Sequence, residues 1–139
     1  LSDFFEKWQD EDLVVDKWLS VQASSSASDT FARVVALKEH PAFDIRNPNK
    51  VRSLIRTFAA NPVHFHSADG EGYRFVADCV LELDKLNPQI AARIASAFAQ
   101  WHRYEPSRSL QMKQQLQRIS EQDKLSPDTS EIVKLSLQA

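Results

Sequence analysis

The sequence predicts an all-helical protein of about eight short helices, and three observations carry that expectation. Only two glycines occur in 139 residues, whereas tight hairpins and phosphate-binding loops lean on glycine for backbone conformations that other residues avoid. Apolar residues recur at steps of three and four and nowhere alternate with period two over a useful length. Six prolines stand where the periodic stretches stop, because proline lacks an N–H and disfavours the helical conformation of the residue before it.

Taken in order, residues 1–8 open with Ser2 and Asp3 as capping residues and an apolar stripe of Leu1, Phe4, Phe5 and Trp8. Residues 11–23 carry Leu13, Val14, Trp18, Leu19 and Val21, and the steps from Val14 to Trp18 to Val21 predict one buried face. After the small-residue linker 24–28, Asp29 is a natural N-cap for a helix over 30–40 that Pro41 ends. Asn49 starts a helix with the stripe Val51, Leu54, Ile55 and Phe58, which stops near Asn61-Pro62. A longer helix over 72–87 places Tyr73, Val76, Val80 and Leu83 on one side. Pro88 suits a first helical position, and helices over 90–104, 106–122 and 127–138 complete the chain, the last behind the cap residue Ser126.

Successive helices joined by short proline-marked turns predict antiparallel pairs. Stacked side by side, such pairs make a superhelix of the HEAT or armadillo sort within a single domain over residues 1–139. No exact repeat is visible, so the repetition is structural rather than literal.

Composition narrows the partners. A formal charge of −2 supplies no basic field for nucleic acid, and no apolar run approaches the length of a membrane span. The single cysteine, Cys79, rules out an internal disulfide and fits a reducing, cytoplasmic compartment. The chain begins at Leu1 rather than methionine, which is expected if it is a piece of something longer or has lost a leader.

Catalytic chemistry is missing where it would be sought first. A zinc peptidase places two histidines and a glutamate on one helix as HExxH, and none of His40, His64, His66 and His102 begins that motif. His64 and His66 are two ligands without a third, which makes a poor zinc site, so no metal site is expected. Cys79 shares a face with Val76, Val80 and Leu83 and is read as core. Ser24–Ser26 lack a nucleophile elbow; Trp8, Trp18 and Trp101 sit at helical spacing as packing residues. Asp10, Glu11 and Asp12 are charges favoured at a helix N-terminus.

One helix stands out. Between Lys85 and His102 the only charged residue is Arg93, set among Ile90, Ala91, Ala92, Ile94, Ala95, Ala97 and Phe98. A helix with so few charges is expected to be buried on most sides, and a lone arginine there needs a partner or a wet cavity. The alternatives are an ion pair with Glu82 or Asp84, exit to the surface along the alkyl stem, or a place in the wall of a cavity. Arg52 and Arg56 border the Val51–Phe58 stripe, either as solvated charges or as functional ones.

Several stretches together resemble one family: Trp8-Gln-Asp, Asp16-Lys17-Trp18, Asn47-Pro48-Asn49-Lys50-Val51-Arg52-Ser53-Leu54-Ile55, Asn61-Pro62-Val63-His64-Phe65-His66, Asp69-Gly70-Glu71-Gly72-Tyr73-Arg74-Phe75 and Asn87-Pro88-Gln89-Ile90-Ala91-Ala92-Arg93. In order and spacing they are similar to the C-terminal domain of bacterial aminopeptidase N, a family of HExxH zinc metallo-aminopeptidases. The likeness spans nearly the whole chain, and its Asn-Pro-Asn-x-x-Arg-Ser-Leu-Ile and Asp-Gly-x-Gly-Tyr pieces are the most specific. It implies a helical superhelix that packs over a catalytic domain, encloses the cavity above the zinc and governs the entry of short peptides. The zinc ligands, the glutamate base and the exopeptidase motif would then lie in the preceding domain, leaving this chain without cofactor or activity of its own. The resemblance also implies that Arg93 and Arg52 face the internal cavity as substrate-channel residues. Two other readings are a free-standing helical-repeat scaffold with a protein or peptide in its concave face, and a regulator of a separate peptidase subunit.

Overall fold

The computed structural model describes residues 7, 8 and 10–138, and among these no strand occurs. Lys7 and Trp8 are helical; the remainder of the expected first helix, with Leu1, Phe4 and Phe5, lies outside the described residues. The chain gathers into two compact units, Leu1–His64 and Phe65–Ala139.

In the first unit, α1 runs Asp12–Ser24 and α2 runs Thr30–Lys38. A third helical run, α3, spans 48–59 and consists of Pro48–Val51, a wide π turn over Arg52–Arg56 and a last α segment Thr57–Ala59. Val51, Leu54, Ile55 and Phe58 are fully buried, as the stripe predicts, and α1 packs on both α2 and α3. The core face of α1 differs from the expected one. Val15, Trp18, Leu19 and Ala23 point inward, while Leu13 is 84% and Val21 56% exposed. Both stripes satisfy helical periodicity, and the pattern alone cannot choose between two apolar faces of one helix.

Two polar contacts tie this unit together. Lys50, only 6% exposed, forms a salt bridge with Asp16 of α1. Asn61 donates from its amide nitrogen to the carbonyls of Ala23 and Ser25, both at 2.9 Å, and its amide oxygen accepts from the N–H groups of Val63 and His64. One asparagine thereby closes the C-terminal end of α1 and shapes the turn that follows α3.

The second unit contains α4 (Glu71–Asp84), α5 (Pro88–Ala95), α6 (Pro106–Ser120) and α7 (Pro127–Gln138). The expected helix over 90–104 is instead α5 followed by two 3-10 turns, Ser96–Phe98 and Trp101–Arg103. Ser96 Oγ donates to the carbonyl of Arg93, a local bond that competes with continued α-helix. Beyond it, Phe98 is buried against Phe65 and Tyr73, and Trp101 Nε1 donates to the carbonyl of Ser136 on α7. These tertiary contacts outweigh the helical pattern. Helix α4 packs on α5 and α6, and α7 on α5 and α6.

Four helices start alike, with proline in the first turn behind a polar residue: Asn47-Pro48, Asn87-Pro88, Glu105-Pro106 and Ser126-Pro127. Asn47 accepts from the N–H of Asn49, Asn87 from Ile90, Glu105 from both Ser107 and Arg108, and Ser126 from Thr129. Proline's fixed φ and missing donor fit a first helical position, and the polar side chain serves the N–H groups that the helix leaves open. Asp29 works differently from the expected cap: it pairs with Arg33 one turn on.

Candidate functional site

The two arginines singled out by the sequence lie one in each unit. Arg93 is exposed on α5 while Ile90, Ala91, Ala92, Ile94 and Ala95 around it are buried. Among the described residues none pairs with its guanidinium. Asp84, one of the expected partners, is committed elsewhere: its carboxylate accepts from the N–H and hydroxyl of Ser126 and from the hydroxyl of Thr129. An ion pair with Asp84 is thereby excluded, and Arg93 leaves an apolar helix by pointing outward.

Arg52 begins the π turn of α3, and its guanidinium donates to Asn49 Oδ1 at 2.9 Å. The wider turn has a local partner in Thr57, whose hydroxyl donates to the carbonyl of Arg52. Single π turns inside α-helices recur at functional sites. Arg56 closes the turn and is also exposed.

Beside the exposed Leu13 and Val21, an apolar groove of about 370 Å³ is lined by Leu13, Val14, Lys17, Val21 and the edge of the otherwise buried Trp18. Isolated exposed apolar residues are ordinary on protein surfaces, whereas contiguous apolar patches are where proteins commonly meet partners.

The histidines do not converge on a metal, and among the described residues no three His, Cys, Asp or Glu side chains group to hold one. Residues 62–66 run in turns rather than as the extended segment that would align His64 with His66. In the second unit, His66 Nδ1 and the buried Tyr73 hydroxyl share a 2.7 Å hydrogen bond, and the His66 ring stacks on Tyr104. Burial, reinforced by the nearby Arg108 guanidinium, holds the His66 pKa below the usual histidine value. Burial likewise pushes the Tyr73 phenol up to about 12. Arg108 Nε donates to the carbonyl of His66 and its Nη1 to Glu105, so the cluster locks the start of α6 to the segment before α4. Cys79 is buried, as its helical face predicts.

Sequence reasoning missed a polar cleft of about 290 Å³ between the start of α4 and the middle of α6, lined by Asp69, Gly70, Glu71, Arg74, Gln111, Gln114 and Gln115. Its local origin is the Asp-Gly turn. Asp69 accepts from the N–H of Glu71 and the hydroxyl of Ser67, and Gly70 takes φ +76°, a left-handed conformation costly for other residues. The available signal was the glutamine-rich stretch 111–117 on a helix with few apolar residues.

These features define a class: a helical-repeat domain that presents an apolar groove and an unpaired arginine, without a cluster of catalytic groups among its described residues. The chain belongs to the family described as "Domain of unknown function (DUF3458_C) ARM repeats", whose model matches residues 1–138. It is 41% identical to aminopeptidase N of Caulobacter vibrioides over 138 residues and 38% identical to aminopeptidase N of Haemophilus influenzae over 139, covering 99% of this chain in each case. A crystal structure of Legionella pneumophila aminopeptidase A in complex with aspartic acid superimposes with a TM-score of 0.91 at 37% identity, again over 99% of this chain. The chain spans only 16% of the length of each of these relatives. The resemblance carried by the Asn-Pro-Asn and Asp-Gly-x-Gly-Tyr motifs is borne out, and so is the helical-repeat class.

Proposed function

We propose that this chain is an accessory helical domain of a zinc-dependent aminopeptidase, one that covers the active-site cavity and governs the entry of short peptides. The parent would remove N-terminal residues, and hydrolysis of the first peptide bond would proceed on groups outside this chain. The observation that carries the reading is the apolar groove of α1. A self-contained scaffold gains nothing from holding Leu13 and Val21 in water, whereas a domain that docks on a larger body buries them. The exposed Arg93, on a helix whose apolar residues from Ile90 to Ala95 are buried, supports the access role, because a guanidinium with free donors suits peptide carbonyls or a product carboxylate through paired hydrogen bonds. Arg52, at the start of the π turn, is the second channel residue in this account. The zinc would supply water activation and carbonyl polarisation when bound in the parent; the residues described here bind and sort peptides without entering that step.

The test is Leu13→Asp and Val21→Asp in the full-length enzyme. Each places a charge in the docked groove, and burial of one such side chain contributes about 2 kcal/mol. The variants should open the junction to limited proteolysis while leaving the core of the first unit intact. Unchanged proteolysis in both would contradict docking through α1 and return the free-standing scaffold to first place.

A further inference from the structure

We infer that the Asp69–Gly70 peptide is a latent isomerisation site, which the turn over residues 67–71 keeps unreacted, with Ser67 as its lock. The inference is independent of the access role. It starts from the sequence, in which Asp69-Gly70 is the only Asp-Gly step. Asp69 is exposed and Gly70 half-buried. Glycine has no Cβ to shield its own amide nitrogen, so that nitrogen has access to the carboxyl carbon of the aspartate before it.

The reaction is a ring closure followed by a hydrolysis. The Gly70 nitrogen gives up its proton and bonds to Asp69 Cγ, a carboxyl C–O bond breaks, and one water leaves. Water then opens the five-membered imide. Opening at Cγ restores aspartate; opening at the main-chain carbonyl leaves the chain running through Cβ and Cγ as isoaspartate. One water leaves and one returns, and nothing is oxidised or reduced.

Three hydrogen bonds oppose the first step. The Gly70 N–H donates to the Ser67 carbonyl at 3.1 Å; the imide nitrogen carries no proton, so closing the ring forfeits this bond. Asp69 Oδ1 accepts from the Ser67 hydroxyl at 2.8 Å and from the Glu71 N–H at 3.0 Å. The Glu71 N–H and, after it, the Ser67 hydroxyl hold the Asp69 carboxyl below the usual carboxylate value. The ionised carboxylate is the unreactive form, because neither oxygen carries the proton with which it would leave. Ser67 takes part in two of the three bonds, and its hydroxyl is the one contact that a substitution removes without altering the backbone.

The surrounding backbone leaves little slack. The His66 carbonyl accepts from Arg108 Nε, that of Ala68 from Gln111 Nε2 and that of Gly70 from the Arg74 N–H. Isomerisation would add one carbon to the main chain immediately before Gly70. That glycine sets the start of α4 with φ +76°, and a Cβ added to it would meet Gln111 Cδ at 3.3 Å. Tyr73, whose hydroxyl bonds His66, lies in the first turn of α4. The inserted carbon would therefore loosen the cluster that ties α4 to α6.

The test holds the full-length protein warm at neutral pH in oxygen-18 water, beside the same protein unfolded in guanidinium chloride. Each hydrolysis of the imide leaves one oxygen-18 in the product, so the label counts every closure whichever way the ring opens. Trypsin, applied afterwards in ordinary water, cuts after Arg56 and Arg74 and releases residues 57–74 for mass spectrometry. Asp69 is the only aspartate in that peptide, and its one asparagine, Asn61, precedes a proline with no N–H to give up. Labelling should be at least tenfold slower in the folded protein than in the unfolded one. Ser67→Ala should raise the folded rate about fivefold, the weight of one hydrogen bond. Ser67→Thr, which keeps the hydroxyl, should stay at the parent's rate. Equal labelling of folded and unfolded protein would overturn the assignment. So would Ser67→Ala at the parent's rate, or at the unfolded rate, which would place the protection in the fold as a whole. Ser67→Thr as fast as Ser67→Ala would equally remove the hydroxyl from the account.

Discussion

The Asp84 carboxylate, at the last residue of α4, accepts a hydrogen bond from the buried hydroxyl of Thr129 in α7. With the N–H and hydroxyl of Ser126 as its other donors, one side chain holds the start of a helix that lies far along the chain. Burial pushes the Asp84 pKa up, but the hydrogen bonds from Ser126 and Thr129 together outweigh it and hold the group below the usual carboxylate value. Asp84→Ala is expected to lower stability by about 3 kcal/mol, the cost of stranding several donors, measured by urea denaturation at neutral pH. The pH dependence follows from the depressed pKa: the contribution is present above the unfolded value of 3.8 and is lost as pH falls through the folded one. The deficit of Asp84→Ala relative to the parent should therefore shrink on strong acidification.

Asn61 is the corresponding device in the first unit. Its amide donates to two carbonyls and accepts from two N–H groups, so both of its donors and both of its acceptor lone pairs are used. Asn61→Asp keeps the shape and the acceptors but turns both donors into repulsion against the carbonyls of Ala23 and Ser25. The expected loss is about 3 kcal/mol, larger than for Asn61→Ala, and a thermal melt of both variants checks the order.

His66 offers a titration. Burial is the larger cause of its lowered pKa and the Arg108 guanidinium the smaller. In the NMR titration of the ring, the midpoint should lie below 6.5. Arg108→Gln should move it upward without restoring 6.5, since burial remains. A group with a depressed pKa is stabilising above its unfolded value, so folding should weaken as pH drops below 6.5, well before the Asp84 window opens. A His66 midpoint above 6.5 in the parent would contradict the burial account.

Much of the fold was legible because two signals reinforce each other. The stripes of α3 and α4 are apolar on one side only, and proline behind a polar residue marks the starts of α5, α6 and α7. The face of α1 was misread because Val14–Trp18–Val21 and Val15–Trp18–Leu19–Ala23 are both valid helical stripes, and only packing decides between them. The break after α5 depends on Phe98 and Trp101 meeting residues distant in sequence, which no local pattern encodes. At the candidate site, Arg93 was conspicuous by its isolation among apolar residues. The cleft was not, because glutamines on an exposed helix look like solubilising residues until a neighbouring turn closes over them.

The access role turns on Arg93, and the most direct measurement is kcat/KM of the full-length enzyme and its Arg93→Ala variant on a single-residue amide and on a peptide several residues long. With no partner for the guanidinium among the described residues, its loss should barely move the melting temperature. The account predicts roughly a tenfold fall for the longer peptide, about 1.4 kcal/mol of binding to the transition state, with the short substrate nearly unaffected. Equal kinetics on both substrates with a lowered melting temperature would contradict it and make Arg93 a structural residue.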